Sequence, residues 1–392
     1  MAIYTPPSRL PTWATDGGAD VTDPGTSKQA TGWIEGEAPA ADHTNWLANG
    51  VGAHLDLLQN TLAPLIAYSN INWTTTEPWS TTTPIRTKAN YLSTFDRHYV
   101  VQKHNTDDIT AWDSADGITW SSAKLIDAAS AATTQFVTDG TNLFIGVDDQ
   151  VYRSTTSLVT DLTSFDFPPG VPLEMVYDDT NSLFIICCDN GNIYSSPDAD
   201  TWTSRVTTAN SWRWMDHDPS TGTTVAQETT TDDFHFTTNG TTWTTRTGPS
   251  AYDNAIYSSA ANSWVLRKAS DGVTHIADTT SITAVSPALV SIDIECSAVI
   301  DAPEFCFILS GVTSTTTVKE GWYALKNKAQ FNTNNSTLIY LGGCGNQFDV
   351  HSGATMINTS WFKCGNGIIY WLYDGVAGGD RLAYSQYGAP AP

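Results

Sequence analysis

The chain has 392 residues, 18 of them basic and 41 acidic, for a formal net charge of −23. That balance excludes polyanions as partners: nucleic acid and anionic membrane surfaces are repelled, and Lys and Arg for phosphate contacts are scarce. Charged residues make up only 15% of the chain while Thr, Ser, Gly and Asn abound, a composition that points to an all-β protein with many polar turns.

No apolar run approaches the roughly 18–20 residues of a membrane-spanning helix. The opening MAIYTPPSRLPTW lacks a basic segment followed by an apolar one, so no secretory signal is expected. Residues 1–41 are rich in Pro, Gly, Thr and Asp, with isolated tryptophans at Trp13 and Trp33. They show no periodicity, so irregular, extended chain is predicted, gaining order against a partner surface.

Residues 42–66 read differently. Val51, Leu55, Leu58, Leu62 and Leu65 recur at spacings of four and three, the apolar stripe of a helix and also an a/d seam. Asp42 or Thr44 can cap its start, and Pro64 should end or bend it. The stripe suits either packing on its own domain or a short oligomerisation helix. At about three heptads such a helix is marginal alone. A homo-oligomer is the expectation.

Several residues of this segment fall in a recognisable order: Trp13–Ala14, Lys28, Gly32–Trp33, Gly36–Glu37 with Pro39, and Asn45–Trp46–Leu47 ahead of the helix. This resembles the N-terminal segment of tailed-bacteriophage tail-fibre and related virion proteins. The resemblance implies a docking role for Trp13, Gly32, Trp33, Glu37, Pro39, Asn45 and Trp46, with other phage virion proteins as partners. It covers about 40 residues and says nothing of the remainder.

From residue 67 onward the chain repeats. SADGITW ends at Trp120, SPDADTW at Trp202 and TTNGTTW at Trp243. The last two tryptophans are 41 residues apart and the first two are 82 apart. The copy between them falls on TTSLVTD, Thr155 to Asp161, which keeps Thr160 but lacks the tryptophan. A further copy falls on DTTSITA, Asp278 to Ala284, and one period before Trp120 stands Trp79. A period of about 40 with four short strands per unit is the sign of a β-propeller.

Apolar strands supply a second marker: YVVQ, LFIG, LFIICC, TTVAQ, SWVLRK, FCFIL and IIYWLY. Each follows a turn rich in Asp, Asn and Gly, residues that tolerate left-handed backbone. Each precedes another strand: ITAWDS, QVYRST, NIYSSP, FHFTTN, THIADT, GWYALK and RLAYSQY. The prediction is an all-β chain, a seven-bladed β-propeller over 67–392. The last unit lacks a fourth strand, so residues 72–87 are expected to close the last blade, which removes an exposed edge.

The repeated box carries Ser114, Asp116, Thr119 and Trp120; Ser196, Asp198, Thr201 and Trp202; Thr237, Asn239, Thr242 and Trp243. The Ser or Asp side chain is expected to bind turn amides, Gly117 or Gly240 to take positive φ, and the Trp to pack between blades. The box resembles the Asp-box of sialidase-like propellers, one residue shorter than the usual pattern. That resemblance implies a folding element away from any active site.

No catalytic residue, cofactor or metal is predicted, and no enzymatic activity is expected. A sialidase would need three convergent arginines and a Tyr–Glu pair. Arg97, Arg153, Arg213 and Arg267 share no common offset in the repeat, and Glu174, Glu228, Glu295 and Glu304 suggest no pairing. YDDTN and DHDPSTG hold oxygen ligands suited to calcium, but as hairpin turns they need no metal. Cys187 and Cys188 are neighbours on a strand, which directs them to opposite faces as buried thiols.

The expectation is a phage virion protein, a tail fibre or tail-tip component assembled in the host cytoplasm, docking through its N-terminus and adsorbing to a host-surface glycan or protein. A purely structural connector, collar or head fibre is one alternative, and a glycan-cleaving tail enzyme another.

Overall fold

The chain divides into two units, Met1–Ile71 and Asn72–Pro392. The computed structural model describes residues 74–76, 84–104, 109–126, 133–167, 170–248, 252 and 254–259, and beyond these 263–268, 272–276, 295–301, 306–311, 321–325, 339–342, 361–363, 365, 368–374 and 380–386. The expected extended segment 1–41 and the helix 42–66 lie outside the described residues. So do Trp13, Gly32, Trp33, Glu37, Pro39, Asn45, Trp46, Val51, Leu55, Leu58, Leu62 and Trp79.

After the short strand β1 (Thr74–Thr76) come four consecutive antiparallel meanders described with their side chains. The first is β2 (Pro84–Leu92), β3 (Arg97–His104), β4 (Ile109–Ser114) and β5 (Lys124–Ile126). The second is β6 (Val137–Thr138), β7 (Leu143–Val147), β8 (Gln150–Ser154) and β9 (Thr163–Asp166). The third is β10 (Pro172–Asp178), β11 (Leu183–Cys188), β12 (Asn192–Ser196) and β13 (Thr203–Thr207). The fourth is β14 (Trp212–Asp218), β15 (Thr223–Glu228), β16 (Phe234–Thr237) and β17 (Thr244–Arg246). Among the residues described with their side chains these are four complete propeller blades, where the repeat predicts seven over 67–392.

The remaining strands are described chiefly by backbone pairing. β18 (Asn254–Ser258), β19 (Ser263–Lys268) and β20 (Gly272–Ile276) form a three-stranded sheet. β21 (Glu295–Asp301), β22 (Cys306–Gly311), β23 (Gly321–Leu325) and β24 (Ile339–Gly342) form a further meander. β25 (Trp361–Lys363) runs parallel to both β2 and β21 and lies between them. β26 (Ile368–Asp374) pairs with β27 (Asp380–Gln386), and β27 takes β1 as its outer neighbour, with Thr75 opposite Ala383. The strand beside β27 is thus Thr74–Thr76. Pro84 to Thr87, which the sequence assigns to the same closing segment, belong to β2 in the first blade.

The apolar segments are strands because period-two alternation lets both of their faces be buried. In β11, Phe184, Ile186 and Cys188 enter a cluster with Val137, Phe144 and Val151 of the second blade. Ile185 and Cys187 enter the opposite cluster with Trp212, Met215 and Ala226 of the fourth. β7 does the same, sending Leu143, Ile145 and Val147 toward Tyr99 and Val101 of the first blade and Phe144 toward the third. The second and third blades are therefore each the packing partner of two others. Cys187 and Cys188 are free thiols on opposite faces, and burial pushes both thiols up, away from the reactive thiolate.

A regularity invisible in the sequence is a one-residue bulge near the start of the first strand in several units. Pairing slips between Pro84 and Arg86, Pro172 and Glu174, Trp212 and Trp214, and Cys296 and Ala298. The extra residue inverts the alternation for what precedes it. Hence Trp212 and Met215, three apart, share one cluster while Trp214 lies in the next.

Phe184 is 1% exposed, with ring centroids 4.5 Å from Phe144 and 4.8 Å from Tyr177. Phe184→Ala should lower unfolding stability by about 3–5 kcal/mol in urea titration. Leu125, 61% exposed, is the control. Leu125→Ala should stay within about 0.5 kcal/mol of the parent.

Candidate functional site

The repeated turn between the third and fourth strands is built alike in three blades. In the first, Asp116 Oδ1 accepts the amides of Ile118 at 2.9 Å and Thr119 at 2.6 Å. Ser114 Oγ lies 2.9 Å from the same oxygen and accepts the Gly117 amide at 2.8 Å. In the third, Asp198 Oδ1 accepts the amides of Asp200 at 2.9 Å and Thr201 at 2.8 Å. In the fourth, Asn239 Oδ1 accepts those of Thr241 at 3.0 Å and Thr242 at 2.8 Å. The backbone turns left-handed at Gly117 (φ 68°), Ala199 (φ 62°) and Gly240 (φ 66°). A side chain there costs about 1 kcal/mol. At Ala199 the fully buried methyl returns about 0.8 kcal/mol, so alanine is tolerated.

Two of the turn tryptophans join the seams. Trp202 packs edge-on against Phe167 at 5.0 Å and donates its Nε1 hydrogen to the Ala199 carbonyl at 2.9 Å. Trp243 packs against the cluster between the third and fourth blades.

The copy without tryptophan in the second blade is shifted by one residue from its expected place. Ser154, Thr156 and Ser157 (φ 63°) occupy the positions of Ser114, Asp116 and Gly117. A 3-10 turn at Val159–Asp161 follows them. The first blade holds this turn. Tyr99 Oη donates to the Ser157 carbonyl at 2.9 Å, and Asp113 Oδ1 accepts the Val159 amide at 3.1 Å. The pattern recurs where Asn181 Nδ2 donates to the Thr238 carbonyl at 3.1 Å. The turns of the second and fourth blades are thus braced by the blade before them.

Among the described side chains, the arginines weighed as catalytic groups have separate partners. Arg97 pairs with Asp113, Arg153 lies over the Phe165 ring at 5.1 Å, and Arg213 donates to the Thr229 carbonyl and Asp232. Glu174 meets Lys88 at 2.7 Å, joining β10 to β2.

One polar chain was missed by sequence reasoning. Thr245 Oγ1 lies 3.0 Å from His235 Nδ1, His235 Nε2 lies 2.8 Å from Glu228 Oε1, and Glu228 Oε2 accepts from Asn210 and Thr231, both at 2.9 Å. Hydroxyl, imidazole and carboxylate in series is the order of a nucleophile relay. Here, however, Thr245 is simply the cross-strand partner of His235, so the chain satisfies polar groups enclosed among three strands. Burial pushes the Glu228 carboxyl up, but the donors from Asn210, Thr231 and His235 outweigh it and hold the group below its ordinary range.

No protein-family model matches the chain, and no curated protein matches it. Solved structures do. Virginiamycin B lyase from Staphylococcus aureus aligns with a TM-score of 0.56 at 9% identity, over 81% of this chain and 99% of that one. A β-propeller domain from Myceliophteria thermophila aligns with a TM-score of 0.52 at 8% identity, again over 81% and 99%. The fold is a β-propeller. One of these structures is named an enzyme and the other only a propeller domain, so the likeness carries fold and not chemistry.

Two groups beside the first turn make stability depend on pH. Burial dominates at His98 and lowers it from 6.5 to about 4, against the pull of Asp96 and Asp116. At Asp116 partial burial raises the carboxyl, but the Thr119 and Ile118 amides and the Ser114 hydroxyl prevail and hold it at about 2, below 3.8. Both folded values lie below the unfolded ones, so both contributions are present above the unfolded pKa and lost as pH falls. The His98 contribution, about 3 kcal/mol, should disappear between pH 6.5 and about 4. The Asp116 contribution follows between 3.8 and about 2. In thermal melts across pH, His98→Gln should flatten the first limb and Asp116→Asn the second.

Proposed function

We propose that the chain is a bacteriophage virion protein, a tail fibre or tail-tip component. Its N-terminal segment docks to the particle and its propeller is displayed for adsorption to the host surface. The observation that carries this reading is the ordered set Trp13–Ala14, Lys28, Gly32–Trp33, Gly36–Glu37 with Pro39, and Asn45–Trp46–Leu47. On the same reading the propeller has seven blades, with β18–β20, β21–β24, and β25–β27 with β1 following the four complete ones. The repeated turns then serve as Asp-boxes that shape the scaffold.

The described surface favours a polar ligand. Leu125 is the only large apolar side chain strongly exposed among the described residues. The outer strands β13 and β17 expose mainly Thr and Ser. Such a face suits a glycan, whose hydroxyls exchange hydrogen bonds, better than an apolar protein patch. A purely structural virion role is favoured by one other fact: the polar side chains of the repeated turns are engaged within the turns themselves.

Removing residues 1–41 should leave a propeller with an unchanged melting temperature that no longer enters particles. Unchanged incorporation refutes the docking role. Labelled protein in electron micrographs of the virion should mark the tail. Binding to host cells or to a glycan array should survive the deletion, and an absence of binding by the full chain leaves the structural role as the better account.

A further inference from the structure

We propose that Asp178, Asp179 and His217 form a site for a divalent transition-metal ion of the zinc class at the seam between the third and fourth blades. Asp178 ends β10, Asp179 begins the turn after it, and His217 is the penultimate residue of β14. One ligand atom from each lies within 4.8 Å of the others. Asp178 and His217 are buried, and Asp179 is 63% exposed. The site therefore has fixed walls and one solvent-facing arm through which an ion and its waters can enter.

The repeat shows that this set is not generic. In the first hairpin of five successive units the strands end on equivalent pairs: Leu92 with Arg97, Thr138 with Leu143, Asp178 with Leu183, Asp218 with Thr223 and Ser258 with Ser263. The residue before each end is Tyr91, Val137, Tyr177, His217 and Tyr257. An imidazole stands where the other units have an aromatic ring or valine. Consecutive aspartates at the strand end and the next position occur only in the third of these units. The two departures from the repeat meet at one seam. At the next seam the corresponding tyrosine, Tyr257, makes an ordinary 3.2 Å contact with Ser220 Oγ.

The ligands are held in orientation by groups outside the set. His217 Nδ1 lies 2.9 Å from Thr224 Oγ1, its cross-strand partner, which turns Nε2 toward Asp179. Asn181 grips both oxygens of Asp178, its amide at 3.0 Å and its Nδ2 at 2.7 Å. Partners of this kind fix ring and carboxylate direction in metal sites. The His217 Nε2 to Asp179 Oδ1 separation is 3.8 Å, against 2.8 Å for the hydrogen-bonded His235–Glu228 pair one strand away. Ligand bonds of about 2.0–2.2 Å at tetrahedral angles put neighbouring donors about 3.4 Å apart. One nitrogen with carboxylate oxygens favours a borderline ion over calcium or magnesium, which take oxygen alone.

The test uses the full chain, stripped with EDTA and titrated with ZnCl2 by calorimetry and thermal melting. One equivalent should bind and the melting temperature should rise. Asp179→Asn, at an exposed side chain, should leave the metal-free melting temperature unchanged and weaken Zn2+ binding at least tenfold. His217→Gln should weaken it similarly. The proposal is overturned by a wild-type chain that shows neither binding heat nor a shifted melt. It is also overturned by equal affinity in Asp179→Asn, which would place the zinc on the cysteines or other histidines, or by a response to CaCl2 alone, which would mark an oxygen-only turn site.

Discussion

The structure depends on strands that are apolar on both faces. β11 sends alternate side chains into two different clusters, each completed by a neighbouring blade. An isolated blade would leave both of these faces in water, so no single unit carries its own core. Stability is shared across seams, and a chain of such units has an open face at each end until the ends meet. The pairing of β1 with β27, and of β25 with both β2 and β21, places the first and last strands of the unit beside each other. Closure thus follows from the same constraint as the strand composition.

Polar groups fit around this apolar arrangement. Bracing contacts such as Tyr99 to Ser157 and Asn181 to Thr238 run from one blade to the turn of the next. Turn hydroxyls and carboxylates satisfy backbone amides that the turn would otherwise leave open. They add direction to the seam packing more than energy. The excess of acid is consistent with this, since carboxylates at turns are the cheapest acceptors for clustered amides.

The strands and turns were legible because each leaves a local mark: an apolar alternation, or Ser, Asp and Gly at fixed offsets. Strands β3, β7, β11 and β15, and the partners that follow them, coincide with segments read from composition alone. The bulges were not legible. They arise where one strand has a residue more than its partner, and nothing in PLEM or WRWM announces which residue is extra. The tryptophan-free turn was placed one residue late because the period was measured from tryptophans, and Ser157 takes its positive φ without a glycine. The Glu228–His235 pair and the meeting of YDDTN with DHDPSTG depend on which blades adjoin, which only topology supplies.

A repeated scaffold also changes how individual residues should be read. Where every unit must supply the same wall, a residue that conforms is explained by packing, and a residue that departs needs another cause. Tyr91, Val137, Tyr177 and Tyr257 supply an aromatic or aliphatic side chain there; His217 alone of the five brings an imidazole, and it does so opposite the one pair of adjacent aspartates at that position. Replacing an aromatic ring by a buried imidazole removes apolar area and adds polar nitrogens, a net cost unless the nitrogens are used. Thr224 uses one of them. His217 Nε2 lies 3.8 Å from Asp179 Oδ1, and a cation held jointly by the imidazole and the two aspartates would tie the third blade to the fourth.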